Sequence, residues 1–97
     1  MVAESEEVVA FRDLSPGAPT HVLVVPKQHL ADASVLNEGH GALLGAMTAL
    51  ATRVAEREGV ASSGYRLVFN VGEDAGNTIG HLHLHVLGGR PMHWPPG

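Results

Sequence analysis

Histidine alternates strictly with aliphatic residues in one short segment near the end of the chain. The segment runs His81, Leu82, His83, Leu84, His85, Val86. Alternate side chains of a β-strand lie on the same face, about 6.6 to 6.8 Å apart. The pattern therefore predicts a strand over residues 81–87, with three imidazoles on one face and an apolar face packed on the core. We expect the histidine face to be directed to solvent or to a ligand.

Three other segments have the composition of β-strands. Residues 6–11 contain valines and a phenylalanine ahead of a proline-glycine turn, and residues 65–71 form a second apolar run. Residues 21–25 are β-branched or aliphatic apart from the first, and the run ends at Pro26. This pattern indicates a central strand with both faces covered.

The middle of the chain has a helical period. Its apolar residues recur at intervals of three and four, at Leu43, Leu44, Met47, Leu50, Ala51, Val54 and Ala55. This spacing predicts an amphipathic helix over residues 38–58. Asn37 is placed to be its N-cap, and Gly59 is placed to take the left-handed position after its last turn.

The order β-β-α-β-β predicts an α+β fold, with an antiparallel meander packed on one long amphipathic helix. The 97 residues suit one domain over residues 1–97. A domain of this size buries only about 60 to 65% of its unfolded surface. A partner subunit would add burial that the chain lacks alone.

Charge and composition exclude several classes of function. Six basic and ten acidic residues give a formal net charge of −4, which argues against electrostatically driven binding to nucleic acid. The chain contains no cysteine, so it cannot form a disulfide framework or a thiolate metal site alone. It has no apolar run of membrane-spanning length, and residues 1–7 are acidic where a signal peptide is basic. We expect a cytoplasmic protein without a membrane partner.

A glycine-containing loop over residues 72–78 precedes the histidines. Gly72 and Gly76 allow close approach of the backbone to a phosphate, and Asn77 and Thr78 offer side-chain donors. Imidazole is a competent nucleophile at phosphorus when one ring nitrogen is free and an acceptor holds the other. Together the loop and the histidines predict covalent phosphorus chemistry that requires no metal.

Two other interpretations of the histidines remain open at this stage. They are surface residues of a half-exposed strand, or two of them ligate a metal, since histidines two apart on a strand are good zinc ligands. The nearest acidic residues, Glu73 and Asp74, lie in a loop of unknown direction. The metal interpretation therefore lacks a convincing set of partner ligands.

The sequence resembles the histidine-triad (HIT) family over nearly its whole length. Residues 81–87 fit the family signature His-x-His-x-His-x-x, in which x is apolar. The tail over residues 88–97, Gly-Gly-Arg-Pro-Met-His-Trp-Pro-Pro-Gly, is similar to the end of the Hint branch, the purine nucleoside phosphoramidases. Residues 10–16 and 19–29 are similar to the two central strands of that branch.

The resemblance implies a role for each site residue. His83 is implied to be the nucleophile that takes the nucleotidyl group, and His85 to contact the phosphate and leaving group. His21 and His81 are implied to orient these imidazoles. Asp13, with Leu14 behind it, falls where the family binds ribose.

The resemblance also implies phosphate contacts and a subunit partner. The phosphate positions are Asn70, Gly76, Asn77 and Thr78, although the family more often has glutamine and serine at the last two. The implied assembly is a homodimer whose helices and central strands pair across a two-fold axis. Trp94 is implied to reach toward the site of the other subunit.

One departure from the family concerns a metal. Many members carry an additional N-terminal segment with Cys-x-x-Cys, which joins histidines matching His29 and His81 in a structural zinc site. This chain begins within the family pattern and has no cysteine, so we predict no zinc and no other cofactor. We expect His29, His40 and His93 to have structural or surface roles.

The leading hypothesis is a nucleotide hydrolase or transferase that acts at the α-phosphate of purine nucleoside 5'-phosphoramidates or related adenylated compounds. Its substrate would be a purine nucleotide of the AMP or GMP type. One alternative is a dinucleoside polyphosphate hydrolase like those of the Fhit branch, against which the Trp-Pro-Pro-Gly tail argues. Another is a catalytically silent dimer that binds nucleotides or acts as a scaffold.

Overall fold

The computed structural model describes residues 1–97 and contains five strands and one α-helix. The elements are β1 (Ala3–Glu4), β2 (Val8–Arg12), β3 (Thr20–Pro26), α1 (Gly41–Arg57), β4 (Tyr65–Val68) and β5 (Leu84–Gly88). Every strand pair is antiparallel, and the strand order in the sheet is β1-β2-β3-β5-β4. The predicted α+β class, an antiparallel sheet with one long helix, is confirmed.

The sheet differs from a simple meander after the helix. β5 lies between β3 and β4, so the last two strands form a hairpin whose second strand pairs with β3. β4 is consequently the edge strand at this end of the sheet. A short strand that the sequence pattern did not predict, β1, forms the other edge.

One face of the sheet packs on α1 and forms the core. The helix contributes Leu43, Met47, Leu50, Ala51 and Val54, and the sheet side contributes Ala3, Val8, Ala10, Val22, Val24, Leu82, Leu84 and Val86. The apolar side of the histidine segment is therefore buried against the helix side of the sheet, as its alternation predicts.

The second face of the sheet has no helix over it. Along β3, residues alternate between buried and half-buried, so the prediction that both faces of residues 21–25 are covered is wrong. β3 is a central strand, but the chain has only one long helix, and that helix covers one side. The face left open carries the histidines.

The histidine strand begins later than its alternation predicts. Pairing with β3 starts at Leu84, and the backbone N–H of Leu82 donates instead to the carbonyl of Leu30, 2.6 Å away. His81 and His83 therefore precede β5. The preceding strand, β4, similarly ends at Val68 rather than at residue 71.

The helix begins and ends close to its predicted limits. Asn37 caps a short 3-10 turn, Glu38–His40, by accepting from the backbone N–H of Gly39, and α1 follows from Gly41. Gly59 lies just beyond the helix with a φ of 75°, the left-handed conformation that was predicted for it. No helix is long and apolar enough to cross a lipid bilayer.

Candidate functional site

The open face of the sheet brings together side chains from three strands. Register pairs Leu23 with Phe11 on one side and with His85 on the other. His21 lies two residues before Leu23, so it shares that face and neighbours His85 diagonally. Histidines that are 64 residues apart in sequence thereby come into contact.

Hydrogen bonds around His21 determine which ring nitrogen carries the proton. The backbone N–H of Gly17 donates to Nδ1 of His21 over 2.9 Å, so Nδ1 is the unprotonated nitrogen of the neutral ring. Nε2 then carries the proton and donates to Nδ1 of His85 over 2.8 Å. A carboxylate oxygen of Asp13 lies 3.5 Å from the same Nε2. His21 is thus held between a loop, a carboxylate and a second imidazole.

His85 continues this chain of hydrogen bonds. Because its Nδ1 accepts from His21, its proton resides on Nε2. Nε2 lies 3.4 Å from the side-chain amide nitrogen of Asn70, and the opposite amide orientation presents the carbonyl oxygen that accepts this proton. His85 can therefore offer an N–H to a ligand that displaces Asn70.

His83 has the opposite tautomer and a free nitrogen. Its Nδ1 lies 2.8 Å from the carbonyl oxygen of His81, to which it donates, so Nε2 holds the lone pair. Nε2 makes no hydrogen bond within the chain. Because every fully buried side-chain nitrogen has a hydrogen-bond partner, Nε2 is not fully buried and is accessible to solvent. The residue as a whole is only 7% exposed. The ring centroids of His83 and His85 are 4.9 Å apart.

His81 does not line one surface with the other two imidazoles, contrary to the expectation from alternation. Its Nε2–H donates to the carbonyl of Pro26 over 3.0 Å, and its Nδ1 lies 3.0 Å from Nδ1 of His29. The reason is that residues 81–83 precede β5, where strand geometry does not yet fix the side-chain directions. His81 contacts His83 through its backbone carbonyl instead.

The surroundings of His85 disfavour its protonated form. Burial lowers the pKa of His85 below its usual value, and the nearby His83 and His21 lower it further, while Asp13 opposes the shift. His85 is therefore neutral at neutral pH in the folded chain. Its Nε2–H is then a hydrogen-bond donor rather than part of an imidazolium.

This shift predicts a loss of stability in mild acid. The folded-state pKa of His85 is depressed, so between that value and the ordinary value of about 6.5 the unfolded chain binds more protons. The stabilisation is complete above about 6.5 and is lost as pH falls through the folded-state pKa. Urea unfolding from about pH 8 to about pH 5 should show less pH dependence in His85→Gln than in the unaltered protein. Equal slopes for the two proteins would contradict this prediction.

An apolar cleft borders the histidine cluster. It has a volume of about 490 Å³ and is lined by Phe11, Arg12, Asp13, Leu14, Leu23 and Ile79. Phe11 and Leu14 are 44% and 100% exposed, so the cleft is open. Phe11, Leu23 and Ile79 were not predicted as site residues. Leu23 lies two residues after His21 in β3, so the two side chains share a face of the sheet. This spacing is the signal in the sequence that could have identified Leu23 as a site residue.

The backbone of the predicted phosphate loop is preformed. Gly72 and Gly76 have φ values of 84° and 78°, and the backbone N–H of Asn77 donates to the carbonyl of Gly72. Asn77 and Thr78 border a separate surface cleft beside Asp32. No hydrogen bond joins either side chain to His83 or His85, while the next residue, Ile79, lines the cleft that contains Asp13.

Trp94 and the tail lie at the edge of the sheet. Trp94 is 84% exposed and borders a cleft of about 420 Å³ with Val68 and Asn70. The carbonyl of His93 accepts from Arg66 on β4, which ties the tail to the edge strand. Within one chain, Trp94 thus borders the same cleft as Asn70, the residue beside His85.

Two groups of residues deserve comparison with metal sites. Ligand atoms of Asp13, His21 and His85 lie within 4.8 Å of one another. A metal on Nε2 of His21 would force the proton onto Nδ1, which faces the N–H of Gly17 as a second donor. The hydrogen-bond pattern therefore favours a chain of imidazole protons over metal ligation at these atoms.

The zinc site that the family resemblance implies is not completed by this chain. His29 and His81 lie side by side, but structural zinc takes four ligands, and the 97 residues contain no cysteine. Nδ1 of His81 faces Nδ1 of His29 while its Nε2 is bonded to the carbonyl of Pro26, so this pair offers two ligand atoms at most. The residues present therefore do not fit a structural zinc ion.

The fold and the site define a small α+β protein with clustered histidines on the open face of an antiparallel sheet. Residues 1–92 match the HIT domain, and the chain belongs to the HIT family. This confirms the resemblance that the histidine signature and the tail indicated.

Known proteins similar to the chain agree with this assignment. A HIT family hydrolase from Legionella pneumophila has 47% identity and a TM-score of 0.95, covering 99% of this chain and 86% of that one. The purine nucleoside phosphoramidase of Escherichia coli is 41% identical over 92 residues, 95% of this chain and 77% of that protein. An uncharacterized HIT-like protein of Synechococcus elongatus is 45% identical over all 97 residues, 84% of its own length.

Proposed function

We propose that this protein is a hydrolase or transferase that acts at the α-phosphate of purine nucleoside 5'-phosphoramidates or related adenylated compounds. The reaction passes through a nucleotidyl group covalently bound to His83. The similarity to a purine nucleoside phosphoramidase supports the substrate class. The hydrogen bonds of the histidine cluster support the chemistry.

The observation that carries this proposal is the state of His83. Its Nδ1–H is held by the carbonyl of His81, while Nε2 has a free lone pair and is accessible. A nucleophilic imidazole needs this combination. The carbonyl also stabilises the positive charge that the ring acquires when Nε2 bonds to phosphorus, because Nδ1 keeps its proton.

In the first step, the lone pair on Nε2 of His83 attacks the α-phosphorus. A bond forms from this nitrogen to phosphorus, and the bond from phosphorus to the leaving nitrogen breaks. The leaving nitrogen needs a proton. The negative charge of the bound phosphate favours a doubly protonated His85, which passes its Nε2 proton to the leaving nitrogen and becomes a neutral imidazole. His21 and Asp13 hold His85 in the tautomer that keeps this hydrogen available.

In the second step, water attacks phosphorus and the bond to His83 breaks. The hydroxyl of the water joins phosphorus to give the nucleoside monophosphate, and the proton of the water returns to His85. Over both steps one water molecule is consumed, and its two parts end on the nucleotide and on the amine. With another acceptor in place of water, the same intermediate gives group transfer.

The open cleft beside the cluster is the proposed nucleoside site. The ring of Phe11 and the aliphatic side chains of Leu14 and Ile79 offer apolar contacts to a purine. The carboxylate of Asp13 accepts from the backbone N–H of Ser15 and keeps further acceptor positions for ribose hydroxyls. A nucleotide bound here would direct its phosphate toward the imidazoles.

The proposed phosphate contacts combine His85 with the polar residues around it. Asn70 already lies beside Nε2 of His85. Gly76, Asn77 and Thr78 come just before Ile79, which lines the proposed nucleoside cleft, but they make no hydrogen bond to His85. We therefore assign the stronger contact to Asn70 and a weaker one to the loop.

We also propose a homodimer. β2 and β3 are hydrogen-bonded on both sides, so strand pairing across a two-fold axis must use an edge, and β4 supplies one beside the exposed Leu67 and Trp94. Pairing there would place each Trp94 near the partner's β4. Sedimentation equilibrium of the protein should give twice the chain mass, and a single-chain mass at all concentrations would contradict the dimer.

The test of the proposed reaction is direct detection of the covalent intermediate. The protein is mixed briefly with adenosine 5'-phosphoramidate, quenched without acid, digested and measured by mass spectrometry. We expect an adenylyl group on the peptide that contains His83, and AMP in solution. A matched His93→Ala variant, altered only at an exposed tail histidine, should give the same adduct.

Two other results would exclude the proposed reaction. AMP release without an adduct would indicate direct or metal-assisted hydrolysis. Neither an adduct nor product, with AMP still bound, would indicate the nucleotide-binding or scaffolding protein that was the alternative.

A further inference from the structure

Arg90, beyond the end of β5, is tied to the loop that holds His21. Its Nη2 donates to the carbonyl of Gly17 over 3.0 Å, while its Nη1 donates to the carbonyl of Pro91. The same Gly17 donates its backbone N–H to Nδ1 of His21. The carbonyl of Gly17 therefore accepts from Arg90, while its N–H fixes the tautomer of His21.

A glycine backbone N–H holds an imidazole in place only if another contact restrains the glycine. It has the widest range of backbone conformations of any residue, and Gly17 lies in a loop between Pro16 and Pro19. A Cβ at position 17 would lie 3.8 Å from Nδ1 of His21, so the loop backbone passes close to the ring. A small rotation at Gly17 would thus remove the N–H from the imidazole.

A second contact joins the same two segments. Gly89 has a φ of 91°, and a Cβ there would lie 2.9 Å from Cβ of Pro19. The end of β5 therefore packs directly against the loop. Arg90 adds a directional hydrogen bond to this packing and connects the strand of His85 to the loop of His21.

We propose that Arg90 is a positioning residue for the His21–His85 pair. The contacts form a closed circuit. His85 lies on β5 and Arg90 lies two residues beyond its end; Arg90 restrains Gly17, and Gly17 fixes the tautomer of His21, which donates back to His85. Arg90 is exposed and touches neither imidazole. Its effect on turnover, which rests on the proposed function, acts through the loop.

The first test is spectroscopic and does not depend on turnover. Side-chain ¹⁵N–¹H correlation spectra of the full chain distinguish the acceptor Nδ1 of His21 from its protonated Nε2. In Arg90→Ala, we expect the His21 nitrogen shifts to move toward the average of two tautomers. Arg90→Lys, which keeps one donor, should restore much of the original pattern. Unchanged His21 shifts in Arg90→Ala would overturn the proposal.

The second test uses the proposed reaction. Arg90→Ala should lower kcat by about 2- to 10-fold, the factor that corresponds to one lost hydrogen bond, and leave KM nearly unchanged. The matched control is Arg57→Ala, because Arg57 is an exposed arginine that donates to the carbonyl of Val2 far from the histidines. An equal fall in kcat for both variants would show a general effect of stability and would overturn the proposal.

The two tests separate the two claims. If the unaltered protein does not turn over a phosphoramidate, the proposed function fails, and the His21 spectrum alone decides the role of Arg90. If Arg90→Ala does not fold, the His21 nitrogen shifts of the unaltered protein are compared with those of Arg90→Lys and Arg90→Gln instead. A His21 spectrum that is the same in all folded variants would then contradict the positioning role.

Discussion

Replacing His83 with glycine is expected to lower turnover of adenosine 5'-phosphoramidate by at least about 10³-fold, because removal of a nucleophile eliminates the covalent route. AMP binding should remain, since His83 does not line the cleft formed by Phe11 and Leu14. The measurement is kcat by amine or AMP release, together with AMP affinity by calorimetry. Turnover close to that of the unaltered protein would contradict the assignment of His83.

Two further variants make this result specific. Glycine leaves space for a small molecule, so free imidazole in solution should restore part of the rate to His83→Gly. His93→Ala removes an imidazole that is exposed in the tail and should keep full activity. A comparable loss in His93→Ala would mean that the effect is not specific to His83. His85→Ala should have a smaller effect than His83→Gly, because another donor can protonate a leaving group slowly.

Replacing Leu82 with alanine is expected to give the largest loss of stability among the residues of the histidine segment. Leu82 is 2% exposed and belongs to the core beneath the sheet. Truncation of a buried leucine costs about 2 to 5 kcal/mol, from lost burial and the cavity that remains. Since a domain has only about 5 to 15 kcal/mol of stability, the melting temperature should fall by roughly 10 °C or more.

The matched control for this prediction is Leu14→Ala. Leu14 is 100% exposed, so the same chemical change should alter the free energy of unfolding by no more than about 0.5 kcal/mol. It should instead raise KM for the phosphoramidate, because Leu14 lines the proposed nucleoside cleft. A melting temperature that falls equally in the two variants would show that burial of Leu82 does not stabilise the fold.

Local patterns predicted the elements of the fold with small errors at their ends. The helical period placed α1 over nearly its observed length, and Gly59 takes the predicted left-handed conformation. Alternation correctly placed Leu84 and Val86 in the core. These features depend on neighbours within a few residues, which is why the sequence alone indicates them.

The site was predicted less completely, because its contacts join distant segments. The alternation of His81, His83 and His85 suggested one row of three imidazoles, whereas His81 contacts Pro26 and His29. Nothing in the order of residues shows that the strand begins only at Leu84. That limit follows from the hydrogen bond of Leu82 to Leu30, a contact between segments far apart in the chain.

The sequence by itself determined the family, the single amphipathic helix and the burial of the aliphatic residues between the histidines, since each of these follows from a local repeat or motif. Only the tertiary structure decided the proton positions. The register of β3 against β5 sets His21 beside His85. The backbone N–H of Gly17 fixes His21 as a donor to His85, and the backbone carbonyl of His81 fixes His83 in the tautomer that leaves Nε2 free as a nucleophile. Tautomers depend on the partner of each nitrogen, and those partners are known only when the chain has folded.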